Sequence, residues 1–80
     1  LKFTQYFQTL SNSADRAIIK TEWITETIQC PIKEVIQADG RIRRRATIPE
    51  MENRVLRVVL LSDGETVHNV FFDRSFKESI

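Results

Sequence analysis

Pro31-Ile32-Lys33-Glu34-Val35-Ile36-Gln37-Ala38-Asp39-Gly40-Arg41-Ile42-Arg43-Arg44-Arg45-Ala46-Thr47-Ile48 is the stretch that decides the fold. Pro31 biases Cys30 towards extended backbone and closes whatever helix precedes it. Beyond it the apolar period falls to two, β-branched residues accumulate, and Asp39-Gly40 marks a tight hairpin. In a three-residue loop Glu34 and Ile36 share a face with Ile42, Arg44, Ala46 and Ile48, and Arg41, Arg43 and Arg45 share the other. A two-residue turn would mix Ile36 with Arg41 and Arg43, which a half-buried sheet disfavours. The three-residue loop is therefore expected.

The same period continues to residue 72. Strands are expected at about 33–38, 41–48, 54–61 and 66–72. Asp63-Gly64 turns the second hairpin, and Pro49-Glu50-Met51-Glu52-Asn53 forms an exposed acidic link. Strand 66–72 is apolar on both faces apart from His68 and Asn69, so it is expected to be central. For the second hairpin a three-residue loop puts residue 58 opposite His68, pointing His68 towards the core and leaving Arg57 beside Asn69. A two-residue turn would instead place residue 59 opposite His68 and make Arg57 and His68 diagonal neighbours on one face. The former is expected, because it keeps Leu56, Val58 and Leu60 with Val70 and Phe72.

Before Pro31 the period is helical. Phe3, Tyr6, Phe7 and Leu10 form one stripe, and Ile19, Trp23, Ile24, Thr27 and Ile28 form a second. Ser11, Asn12 and Ser13 interrupt between them. Thr21 is the expected N-cap of the second helix, with Glu22 in its first turn where the helix dipole favours an anion. The expectation is α+β: two short N-terminal helices packed on a four-stranded antiparallel sheet, one domain over residues 1–80. Its core should hold Phe7, Leu10, Trp23, Ile24, Ile28, Leu56, Val58 and Leu60.

Composition narrows function by exclusion. Eighty residues, 41% of them hydrophobic, suffice for one modest core. The net charge of +1 does not announce a nucleic-acid binder, so only local clustering can. One cysteine and one histidine leave no Cys/His zinc site and no internal disulfide, so no metal or cofactor is expected. Cys30 reads as a small buried residue in a reducing cytoplasm. No run of about 18 apolar residues occurs, so a membrane span is not expected.

The clustering lies at Arg41 to Arg45. Alternate residues on a strand recur roughly every 6–7 Å, close to the phosphate spacing of a nucleic-acid strand. The same row also suits a solubilising edge strand, or a surface for an acidic protein. Arg57 sits mid-strand, where a side chain is held precisely, as a site element or a cross-strand ion pair. His68 is the one residue suited to proton transfer near neutrality, although a lone histidine is more often structural. Trp23, Phe71, Phe72 and Phe76 read as core rather than stacking platforms. Glu22 and Glu26 read as a solvated helix face.

Asp15-Arg16, Glu22-Trp23-Ile24, Pro31, Asp39-Gly40-Arg41-Ile42-Arg43, Leu56-Arg57-Val58-Val59 and Phe71-Phe72-Asp73-Arg74, taken in order, resemble a family of short bacterial proteins of unknown function. That family is common in cyanobacteria and is grouped with RelE/ParE-like and BrnT-like toxins. The resemblance spans about Phe3 to Lys77 and implies a RelE-like domain with two helices on a curved antiparallel sheet. It implies RNA as a partner and messenger cleavage as the activity, with an antitoxin-like protein as neutraliser. Carried over by position, Arg16, Arg41, Arg43 and Arg57 match the family's arginines. Joined to the residue reading above, Arg16, Arg41, Arg43, Arg45 and Arg74 would contact nucleic acid, and Arg57 and His68 would be catalytic, with cleavage through the 2′-hydroxyl. Ser13-Ala14 stands where the family carries His-Ala, so no acid–base role is implied at that end. The alternative is a non-enzymatic interaction module that binds an acidic protein or a second copy of itself.

Overall fold

The computed structural model describes residues 2–10 and 18–73. The expectations for Arg16, Arg74, Phe76 and the Leu10 side chain lie outside what it describes. The order is β1 (Lys2–Phe3), α1 (Gln5–Leu10), α2 (Thr21–Gln29), β2 (Lys33–Ile36), β3 (Ile42–Ile48), a 3-10 turn (Pro49–Met51), β4 (Arg54–Leu60) and β5 (Thr66–Phe72). The α+β class holds, and the sheet is five-stranded and mixed rather than four-stranded and antiparallel. Its strand order is β1-β5-β4-β3-β2. β1 runs parallel to β5, with Lys2 opposite Thr66 and Phe3 opposite Val67. A strand of two residues carries no alternation to read. The Phe3-Tyr6-Phe7 spacing instead draws Phe3 into the helical stripe. β4 is the central strand, and β5 is interior only where Lys2 and Phe3 cover it.

Thr4 starts α1: its hydroxyl accepts from the Phe7 N–H at 3.1 Å, and its carbonyl accepts from the Gln8 N–H at 3.0 Å. In α2 the N-cap is Lys20, without a side-chain cap bond, and Thr21 is already helical. The stripe of α2 faces the sheet, where Trp23 and Ile24 pack with Ile48, Leu56, Val58, Leu60, Val67 and Val70. Phe7 and Ile28 pack at the margin of this cluster. The Trp23 indole N–H donates to Glu50 Oε2 at 2.9 Å, and the ring meets Phe72 edge-on at 6.4 Å. Thr27 is buried because its hydroxyl donates to the Trp23 carbonyl at 2.8 Å. Cys30 is exposed rather than buried, just beyond the end of α2.

The first hairpin has the three-residue loop. Ile36 faces Ile42 and Glu34 faces Arg44. The Gln37 N–H donates to the Arg41 carbonyl at 2.8 Å, and the Gly40 N–H to the Gln37 carbonyl at 2.9 Å. Gly40 takes φ +90, a conformation that residues with a Cβ rarely adopt. The second hairpin departs from both alternatives. Leu61 and Thr66 close a four-residue loop, with the Leu61 N–H donating to the Thr66 carbonyl at 2.9 Å.

Asp63 widens that loop. Its Oδ1 accepts from the Glu65 and Thr66 N–H groups, both at 2.9 Å, and its Oδ2 from the Thr66 hydroxyl at 2.6 Å. Past the turn Leu60 faces Val67, then Val59 faces Asn69 and Val58 faces Val70. His68 is thus the extra residue of a β-bulge. Val67 and Val70, three residues apart, would fall on opposite faces of a regular strand, and the bulge lets both enter the core at 0% exposure. Val70 and Phe72 share a face with Leu56 and Val58, as expected, but the register differs: Val58 faces Val70 rather than His68, and Arg57 faces Phe71 rather than Asn69. Among the described residues no helix is long and apolar enough to cross a membrane.

Two outcomes follow from this packing. Trp23→Ala empties the largest aromatic from the core and releases Glu50, so chemical denaturation should show a loss of about 3–5 kcal/mol. The second concerns acid. The Thr66 hydroxyl first, then the Thr66 and Glu65 amides, lower the Asp63 carboxyl to about 2. A carboxyl depressed in the fold stabilises above its unfolded value and loses that contribution as pH falls through its folded one. An NMR titration should therefore place the Asp63 midpoint near 2, with the turn amides losing protection between about pH 4 and 2. Asp63→Asn should abolish that pH dependence.

Candidate functional site

The β-pleat divides the arginines of β3. Arg44 points to the side of α2, where it donates to Glu34 Oε2 at 2.6 Å and to the Ile28 carbonyl at 3.1 Å, a cation at the C-terminal end of that helix. Arg43 and Arg45 point to the opposite face, with Val35 and Lys33 of β2, Val59 and Arg57 of β4, and Asn69 and Phe71 of β5. Val35, Val59 and Phe71 keep part of their surface on this face.

Arg45 stands directly across from Arg57. Two guanidiniums in opposed positions repel unless an anion lies between them. Asp73 supplies it. Its backbone N–H extends the ladder by one bond to the Val55 carbonyl at 2.8 Å, which brings the carboxylate over the pair. Oδ2 accepts from Arg45 Nε at 3.2 Å and from Arg57 Nη2. The side chains of Asp73, Arg45 and Arg57 are 4%, 8% and 18% exposed, so the trio is largely desolvated and retains one excess positive charge. The Arg57 guanidinium also lies 5.0 Å from the Phe71 ring centroid, and its buried Nε has no partner among the described residues.

Towards the first turn the partners weaken. With the Gln37 amide turned so that its oxygen faces the guanidinium, Arg43 donates to this neutral acceptor through Nε at 2.6 Å and through Nη2. Arg41 is 45% exposed and lies 3.7 Å from Asp39. An open depression of about 430 Å3 lies here, lined by Val35, Gln37, Ala38, Asp39 and Arg43. The arginine row is therefore graded, from exposed at Arg41 to buried at Arg45.

His68 is elsewhere. Its ring stacks on Tyr6 at 4.9 Å and 20°, and its buried Nδ1 has no partner among the described residues. Arg57 faces Phe71, three residues along β5 from His68, roughly 10 Å away. The fold brings Arg57 to Arg45 and not to His68. Among the described residues no group of three His, Cys, Asp or Glu side chains converges to hold a metal.

In sequence the Asp73-Arg74 pair after Phe71-Phe72 reads as a site element or a local ion pair at the strand end, and nothing in the pattern marks Gln37; in the fold Asp73 meets Arg45 and Arg57. The signal for Asp73 was its place one step past β5, opposite Val55, on the parity of Arg57. Comparison with protein-family models, with curated proteins and with solved structures returns no match.

Removing the bridging carboxylate leaves two opposed, poorly solvated guanidiniums. Asp73→Asn should cost about 3–5 kcal/mol in denaturant unfolding. Arg41→Ala, at an exposed pair, should change stability by less than about 0.5 kcal/mol.

Proposed function

We propose that the sheet face carrying Arg41, Arg43 and Arg57 binds the phosphate backbone of single-stranded RNA. The observation that carries this reading is that Arg43 of β3 and Arg57 of β4 lie on the face opposite α2 beside the half-exposed Phe71, with Arg41 two residues before Arg43 at the turn. Alternate positions repeat at roughly the spacing of successive phosphates. Among the described residues Arg41 and Arg43 are held by an exposed carboxylate and a neutral amide, and Arg57 keeps 18% of its side chain exposed beside them.

The reading is one of binding rather than cleavage. Cleavage through the 2′-hydroxyl needs a proton-transfer group beside the arginines, and the one histidine stacks on Tyr6 instead. A kinship with RelE-like toxins, a cytoplasmic setting and an antitoxin-like partner would suit an RNA-binding face, and the salt test below does not depend on them.

Fluorescence anisotropy with a labelled single-stranded RNA should give an affinity that falls as salt rises. Arg41→Ala and Arg43→Ala should each flatten the plot of log K against log salt by about 0.7. His68→Ala should leave binding unchanged. An affinity indifferent to salt would remove RNA and favour a protein partner.

A further inference from the structure

β2 ends the sheet, and no described residue pairs with its outer side. Along this edge Ile32, Val35 and Ile36 are 46%, 37% and 67% exposed, a concentration of apolar surface on a strand whose backbone is also open. The bond from the Gln37 N–H to the Arg41 carbonyl sets the phase of the β2–β3 ladder. Hydrogen-bonded pairs recur at every second residue, so Val35 and Arg43 form the next one. Glu34 and Ile36 consequently turn their N–H and C=O groups to the free edge.

We propose that this edge pairs, antiparallel, with the same edge of a second copy about a two-fold axis at Val35, forming a homodimer whose two sheets are continuous. The outward-facing residues allow few registers. Glu34 opposite Glu34 sets like charges across from each other, which is unfavourable. Ile36 opposite Ile36 brings Ala38, within the turn, against Glu34 and leaves only one bonded pair. Glu34 opposite Ile36 of the second copy forms two complete bonded pairs, related by the axis. It sets Val35 against Val35 and Lys33 against Gln37, with no like charges opposed, and it covers Ile36 on the side of α2. Glu34 is already neutralised by Arg44 at 2.6 Å, so it can lie beside an isoleucine. Lysine on an edge strand ordinarily discourages such pairing, but Lys33 falls at the end of this one. The interface is short, below about 1,200 Å2, so the dimer should dissociate on dilution. It does not depend on RNA binding, although it would place the two Arg41–Arg43 rows on one surface.

Sedimentation equilibrium of the 80-residue chain should give a weight-average mass rising with concentration towards twice that of one chain. Ile36→Pro removes an outward N–H that the fold does not use, and it should remain monomeric with unchanged circular dichroism. In a Cys30→Ser background, oxidised Val35→Cys should form a disulfide-linked dimer. Its two Cα atoms would lie about 4.5 Å apart across the axis, within disulfide range. Glu34→Cys, facing residue 36 of the other copy, should stay unlinked. A constant monomer mass with no cross-link from Val35→Cys overturns the dimer, and preferential cross-linking of Glu34→Cys overturns this pairing.

Discussion

The Asp73 carboxylate between Arg45 and Arg57 is the contact on which the exposed face of this sheet depends. The β3–β4 register is set by the core side, where Ile42, Arg44, Ala46 and Ile48 face Leu60, Val58, Leu56 and Arg54. Once apolar alternation fixes that register, Arg45 must stand across from Arg57. The chain answers with one further ladder bond past β5, and a single oxygen then serves both guanidiniums. Strands β3 and β4 and the end of β5 are thereby joined through one buried charge cluster, whose geometry follows from packing on the opposite face.

The bulge at His68 is the second constraint, and it separates two chemistries. Without it, Val67 and Val70 could not both be buried. With it, the histidine leaves the regular ladder and its ring finds Tyr6, while Arg57 is set against Phe71. A core requirement thus moves the one histidine away from the arginines. Among the described residues this face gathers the guanidiniums of Arg45 and Arg57 on one carboxylate, and the histidine lies away from them.

Much of this was legible in the sequence because period and turn chemistry are local. The switch from helical to alternating period at Pro31, the two Asp-Gly turns and the Arg41, Arg43, Arg45 parity all follow from neighbours within a few residues. What was not legible depends on distance or on side-chain competition. β1 has two residues and no period, and only its pairing with Thr66 and Val67 defines it. The Ser62–Glu65 loop is one residue longer than its glycine suggested, because the Asp63 side chain captures the amides of Glu65 and Thr66. Alternation told which face Arg45 occupies, but its burial depends on a carboxylate 28 residues away.

The graded burial of the arginines divides one strand between two tasks. Arg45 is 8% exposed and bound to a 4% exposed carboxylate, so releasing it would strand charges in a poorly solvated site. Arg41 is 45% exposed against a 55% exposed Asp39, and a pair so open contributes about 0–1 kcal/mol. Arg43 lies between them on a neutral amide that gives up its bonds without exposing a charge. An incoming anion therefore meets least resistance at the turn and most at the centre of the sheet. The inner arginine maintains the fold, and the outer two are free to exchange their partners.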